Sequence, residues 1–281
     1  MSLSLGLGLC ARKLIYKTLR MIHNLSTTKY SLVSIKLDDK RFKFYTHYEG
    51  LQVIDEILLL GQYHLAYRLK PRVIIDVGAH FGIFTVSMAK HIKEVYNNGL
   101  IIAIEPVSIN YNVMLNNIEI NMVKDIVKPI KAAVASKEDY IEVEWIGVRE
   151  LVKTVTMNRL IEIVKEKGYN YIDLVKIDIE GAELEILTKE NKWLEYVKAI
   201  VMEVHPDIYG IEGIKSIAKA LKEKGFEVRQ IKKTINTKLA LKKWIENVCP
   251  NPSWLVLTTW KSFVGIYFNR ININYLLAMK K

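Results

Sequence analysis

The stretch Pro71 to Gly82, PRVIIDVGAHFG, decides the fold. Val73-Ile74-Ile75 is a short apolar run of the kind that forms a strand buried on both faces. Asp76 stands where such a strand ends. Gly78 and Gly82 bracket a turn, and Ile83 to Lys90 reads as the helix that leaves it. Strand, acid, glycine turn and helix together make a small-molecule site at the carboxyl edge of a parallel sheet. A glycine at position 78 puts no Cβ between a ligand and the backbone.

The glycine spacing narrows the ligand. A dinucleotide fingerprint reads G-x-G-x-x-G and seats a pyrophosphate on a helix N-terminus. Here the spacing is Gly78-x-x-x-Gly82, with Asp76 two residues ahead of the first glycine. A carboxylate there repels a pyrophosphate and suits the ammonium group of a methionine-like moiety. Further on, Ile101-Ile102-Ala103-Ile104 runs into Glu105, a second buried strand ending in a carboxylate. Such a group can accept both hydroxyls of a ribose. S-adenosylmethionine, an adenosine bearing a charged amino acid, fits both carboxylates, whereas a nicotinamide dehydrogenase fails on the glycine spacing.

Four blocks carry a resemblance: DVGAHFG (76–82), IEPVSINYNVMLNNIEIN (104–121), DLVKIDIEGAE (173–183) and VMEVH (201–205). Over roughly residues 35–230 the chain resembles the FkbM-type S-adenosylmethionine-dependent methyltransferases. The resemblance implies an α/β, class I (Rossmann-like) doubly wound and mainly parallel seven-stranded sheet, with an N-terminal helix and hairpin extension. It also implies O-methylation of a hydroxyl on a sugar, a glycan or another small molecule. The candidate cofactor contacts are Asp76, Gly78, Ala79, His80, Gly82, Glu105 and Pro106, with Ala133 under the adenine. His80 departs from the family, which commonly has Asn at that place.

Charge is unevenly spread over the 281 residues. The formal net charge is +11, of which residues 1–30 supply +5 and residues 231–281 supply +8, leaving 27 bases against 29 acids between. The basic ends therefore point either to an anionic partner, a membrane surface or RNA, or to solubility alone. Leu14 to Leu25 reads as a cationic amphipathic helix, either lying on a membrane surface or packed on the protein's own core. No apolar run approaches the ~18 residues of a membrane-spanning helix. Two cysteines, Cys10 and Cys249, make no disulfide framework and indicate a reducing, cytoplasmic compartment.

In order, residues 1–70 read as a helix, a hairpin over Ser34–Tyr45 and a lead-in helix, Val53–Leu60, stopped by Gly61. Tyr63 and His64 lie in the connection to the first core strand and are candidates to face the pocket, though a lone histidine in such a place is more often structural. Residues 71–281 read as the Rossmann-like domain with a basic C-terminal segment. Ser108 to Glu119 is a helix whose Asn116, Asn117 and Asn121 read as helix-end and turn residues. Val127–Val134 is the third strand, at an edge because Pro129 cannot donate to a ladder. The fourth to seventh strands are expected at Ile172–Ile179, Ala199–Val204, Phe226–Ile231 and Trp254–Thr259.

Methyl transfer from a sulfonium is an in-line displacement, for which the protein mainly aligns the reactants. A hydroxyl acceptor must also lose its proton, so a base helps. Asp178 and Glu180 lie at the carboxyl end of the fourth strand, where open sheets bind substrates. Strand alternation places Glu203 and His205 on one side, and His205 titrates nearest neutrality. The catalytic candidates are Asp178, Glu180 and His205, with no metal required by their spacing. Glu183 reads as an acid favoured by the dipole of a first helical turn. An RNA methyltransferase using the basic ends, and a non-catalytic adaptor of the same fold, are the alternatives.

Overall fold

The computed structural model describes residues 30–37, 39–47, 50, 53–59, 61–145, 147–179, 181–234, 248–249 and 272–280. The expected helix at Leu14–Leu25, the strand at Trp254–Thr259, Glu180 and most of both basic ends lie outside the described residues. No helix among the described residues is long and apolar enough to cross a membrane.

The chain opens with a hairpin, β1 (Ser31–Leu37) and β2 (Lys40–Thr46), in register from Ser31↔Thr46 to Leu37↔Lys40. A π-helical turn at Asp55–Leu59 and a short helix α1 (His64–Arg68) lead into the core. There follow β3 (Val73–Val77), α2 (Ile83–Tyr96), β4 (Leu100–Ile104), α3 (Ser108–Ile120) and β5 (Val127–Ile130). Next come β6 (Ala133–Val134), the hairpin β7 (Tyr140–Trp145) and β8 (Val148–Val155), and α4 (Met157–Glu166). The last part holds β9 (Leu174–Ile177), α5 (Glu183–Thr188), β10 (Ala199–Glu203), α6 (Pro206–Glu223), β11 (Phe226–Thr234), β12 (Val248–Cys249) and β13 (Asn272–Lys280).

The central sheet has seven strands in the order β11-β13-β10-β9-β3-β4-β5. β3 pairs in parallel with β4 and β9, and β9 with β10, so the strand ends that carry Asp76, Glu105, Asp178 and Glu203 share one edge. β13 runs antiparallel between β10 and β11. This mainly parallel sheet with flanking helices is the class I methyltransferase fold. The seventh strand of this sheet is Asn272–Lys280, whereas the expected Trp254–Thr259 lies outside the described residues. Ala278 of β13 pairs with Ile200 of β10 on one side and with Val228 of β11 on the other.

Both faces of the sheet are covered. Val73, Ile75 and Val77 of β3 pack with Leu160, Leu187 and Trp193, while Ile74 packs on the other face with Phe84, Met88 and Met114. Every residue of β3 and β4 is buried, which explains their unbroken apolar runs. Pro129 does sit at a sheet edge, paired with Ala103. The third strand, however, is shorter than expected. It stops at Ile130 because its neighbour β4 ends there, and Ala133-Val134 turn away to pair with Thr154-Val155 of β8.

Asn121 ends α3 as expected, whereas Asn117 lies inside the helix, and both also bond the hairpin. Asn117 Oδ1 accepts from the Tyr45 amide at 2.7 Å, while its Nδ2 donates to the Tyr45 carbonyl at 3.1 Å. Asn121 does the same to Lys43, at 3.1 Å and 2.6 Å. Residues four apart share a helix face. Alternate residues of β2 turn their amides the same way, so the two side chains imitate a neighbouring strand and dock the hairpin on the domain.

Candidate active site

The turn after β3 is closed by its own backbone. The amides of Gly78 and Ala79 both donate to the Ile104 carbonyl, at 3.1 and 2.9 Å, and Gly82 donates to Ala79 at 2.8 Å. The His80 amide donates to Glu105 Oε2 at 2.8 Å. These amides are thus occupied internally, and the turn forms no cradle for a phosphate. Gly78 has φ +80°, and a Cβ on it would lie 1.9 Å from the Asp178 carbonyl oxygen. Glycine is required here by a neighbouring strand end, whereas the sequence assigned that space to a ligand.

Asp76 is fully enclosed. Its Oδ2 accepts from Thr85 Oγ1 at 2.5 Å, and its Oδ1 lies 3.4 Å from Lys176 Nζ. The cation that the structure places beside Asp76 is the chain's own lysine. Lys176 Nζ also donates to the Gly78 carbonyl at 2.6 Å and lies 3.5 Å from Asp178 Oδ2. Burial opposes the charge of Lys176, yet Asp76 and Asp178 hold its pKa above the ordinary lysine value. Burial raises Asp76 in turn, and Lys176 opposes that rise. A lysine inside the buried strand LVKI, two residues before an aspartate, was the signal available for this cation.

Glu105 ends β4. Besides the His80 amide it takes the Val107 amide at 3.0 Å and Asn110 Nδ2 at 3.4 Å, both on Oε1. Burial pushes its pKa up to about 7 against the pull of the two backbone amides. Pro106 lies between Glu105 and the Val107 amide that turns back to it. Ala79 and Ala133 are buried. His80 takes the left-handed conformation, φ +51°, and its ring stacks on Phe81 with centroids 4.0 Å apart.

A second group of polar side chains gathers at the ends of β9 and β10. Tyr63 hydroxyl donates to Asp178 Oδ2 at 3.2 Å, placing Tyr63 against the site as expected. His64, by contrast, faces the Gly61 carbonyl at 3.2 Å. Gln62 Nε2 donates to Glu203 Oε2 at 3.0 Å. Burial, then the charge of Asp178, pushes the Glu203 carboxyl up to about 7. His205 Nδ1 lies 3.2 Å from Oε1 of Glu183, a carboxylate with no exposed surface. That hydrogen bond raises the His205 pKa above the ordinary histidine value, against the pull of burial.

Glu183 is thus more than a helix-end acid. Its Oε1 accepts from the Ile179 amide at 3.2 Å and its Oε2 from the Gly181 amide at 2.6 Å, which ties the strand-to-helix turn around Asp178 to His205. The His205 amide in turn donates to the Tyr209 hydroxyl at 2.8 Å. Donor atoms of Asp178, Glu203 and His205 lie within 4.8 Å of one another, close enough to share a divalent cation. The fold therefore joins Asp178 and His205 with Glu203, while Asp76 and Glu105 stand at the adjoining strand ends.

Residues 76–228, more than half of the chain, match the methyltransferase FkbM domain. The chain is 26% identical over 224 residues to the methyltransferase sdnD of Sordaria araneosa, spanning 64% of this chain and 83% of that protein. Among solved structures it is similar to an O-methyltransferase from Bacillus cereus in complex with S-adenosylhomocysteine, at 11% identity and a TM-score of 0.46, over 99% of this chain and 94% of that one. It is also similar to the O-methyltransferase TomG from Streptomyces achromogenes in complex with S-adenosylmethionine, at 12% identity and a TM-score of 0.47, over 81% and 79%.

Proposed function

Because the chain belongs to the FkbM methyltransferase family, and so is an S-adenosylmethionine-dependent methyltransferase, we propose that it methylates a hydroxyl of a sugar, a glycan or another small molecule, with His205 as the base. The residues of the cofactor edge fit that cofactor. His80 Nδ1, Asn110 Oδ1 and Trp145 Nε1 are buried without a hydrogen-bond partner. Buried polar atoms are seldom left unpaired, so unpartnered atoms around Glu105 indicate a polar ligand. Glu105 would hold the ribose hydroxyls, and Pro106, Ala133 and the His80 turn would line the nucleoside. When bound, S-adenosylmethionine supplies an electrophilic methyl on a positively charged sulfur.

The pairing of His205 with buried Glu183 carries the proposal. A carboxylate can only accept, so Nδ1 carries the proton and donates to Glu183 Oε1. Nε2 is then left with its lone pair, ready to take the proton of a hydroxyl acceptor. The buried carboxylate also stabilises the imidazolium that forms. Asp178 already accepts from Tyr63 and faces Lys176, so it serves as a fixed negative charge beside the reacting hydroxyl and leaves proton removal to His205.

The experiment is a cell extract incubated with an isotopically labelled methyl donor, followed by mass spectrometry of the labelled product. An O-methylated small molecule, whose labelling falls by roughly a hundredfold or more in His205→Ala, is expected for a lost general base. Label on a nitrogen, or on RNA, would overturn the acceptor assignment. The clustering of Asp178, Glu203 and His205 favours one second reading, a divalent cation that acidifies the hydroxyl. Turnover abolished by a chelator and restored by magnesium would select it over the base.

A further inference from the structure

The hairpin β7–β8 leaves the domain between the third and fourth core strands and is largely exposed: Tyr140 is 62%, Val148 63% and Leu151 70% open to solvent. The residue at its tip behaves differently. Trp145 turns back toward the cofactor edge, with its ring centroid 5.3 Å from that of His80 at an interplanar angle of 66°. Its Nε1 is buried and has no partner, and the same is true of His80 Nδ1. A buried indole N–H normally finds an acceptor. Burial pushes His80 down to about 3, so its ring is neutral and one nitrogen is free to accept.

The hairpin is held there at two further points. Glu150 of β8 accepts from the Ser108 amide at 3.2 Å and from the Ser108 hydroxyl at 2.6 Å, and pairs with Lys131 at 3.0 Å. A carboxylate from the hairpin thus caps α3, which begins just after the Glu105–Pro106 corner. At its other end β8 pairs with β6, Ala133↔Thr154. The hairpin is therefore fastened to both sides of the pocket edge that Glu105 and Ala133 define.

We propose that Trp145, brought in by this hairpin, and His80 form the wall that receives the purine ring of the cofactor, with Trp145 Nε1–H and His80 Nδ1 as the polar atoms reserved for it. The inference rests on the cofactor reading above. It gives the exposed hairpin a purpose: delivery of one aromatic side chain and one helix cap. It also adds to the turn a contact that lies outside all four of its sequence blocks.

The test is calorimetric binding of S-adenosylhomocysteine and of methylthioadenosine, which keeps the nucleoside but lacks the amino acid. Wild type, Trp145→Phe and Trp145→Ala are compared. Stacking of a base on an aromatic ring supports a loss of roughly tenfold or more in Trp145→Ala, equal for both ligands, with Trp145→Phe in between. Quenching of the fluorescence that distinguishes wild type from Trp145→Phe, on adding either ligand, is also expected. Unchanged affinity in Trp145→Ala, or a loss confined to S-adenosylhomocysteine, would overturn the proposal. Absence of binding by wild type would instead sink the cofactor assignment. Thermal melting without ligand identifies an unfolded variant, in which case Trp145→Phe and its quenching decide.

Discussion

Lys176→Met is the most demanding test of the site's electrostatics. Lys176 is 3% exposed, and its Nζ contacts the Gly78 carbonyl at 2.6 Å, Asp76 at 3.4 Å and Asp178 at 3.5 Å. Methionine keeps most of the stem volume, so the cavity term stays small. What remains is Asp76, fully enclosed, with only Thr85 donating to it. Leaving one partner of a buried ion pair unpaired costs about 3–5 kcal/mol, and the lost hydrogen bond to Gly78 overlaps that figure. The expected loss is therefore about 3–5 kcal/mol, a large share of the roughly 5–15 kcal/mol that stabilises a typical domain.

The pH dependence gives a second handle on the same variant. Burial already holds Asp76 above the ordinary aspartate range, and without Lys176 it rises further. A carboxyl raised in the folded state binds more protons there than in the unfolded chain, so stability falls as pH rises from its unfolded to its folded pKa. Urea unfolding followed by circular dichroism should therefore show a smaller deficit at acid than at alkaline pH. The double variant Lys176→Met/Asp76→Asn should recover most of the loss. A loss under about 1 kcal/mol, within the range of ordinary substitutions, or no recovery in the double variant, would refute the reasoning.

Other perturbations follow from the same geometry. Glu183→Gln removes the charge that strengthens the bond to His205 and raises its pKa, so the acid limb of the turnover profile should move to lower pH while kcat falls; an unmoved limb would dissociate His205 from catalysis. The stability that Glu183 lends His205 is present below the ordinary histidine pKa and is lost as pH rises through the raised one, a slope that Glu183→Gln should flatten in unfolding measurements. Glu105 titrates at about 7, and ribose hydroxyls bind its ionised form, so calorimetry should show S-adenosylhomocysteine affinity weakening as pH falls below that value. Glu105→Gln should lower the affinity and remove Glu105's share of this dependence. Asn117→Ala and Asn121→Ala each strand a backbone amide and carbonyl of β2. A loss of about 1–3 kcal/mol each is expected, with amide exchange accelerated in the hairpin before the central sheet.

The sequence was most legible where one segment supplied its own signal. The glycine turn and the acids at the strand ends are local, because apolar runs and punctuating glycines act within a few residues. Asp178 and His205 could each be read as standing at the end of a core strand, and the pairing of β9 with β10 makes them neighbours. Lys176 was visible as a charge in a buried strand, but its counterions stand on two different segments. Trp145 and Glu150 carried no signal, since an exposed hairpin reads the same wherever its tip is anchored.

By itself the chain's order of residues determined the parallel sheet, its edge acids and the exclusion of a dinucleotide turn. Burial on both faces demands continuous apolar runs, and a carboxylate before a glycine turn disfavours phosphate, whatever lies elsewhere. Tertiary structure alone decided that Asp76 is neutralised by Lys176, that Glu183 orients His205 and that Asn272–Lys280 is the seventh strand. Those are choices between partners far apart in the chain. An ion pair, a tautomer or a strand register is set by which groups meet in the folded interior, and no single segment contains both halves.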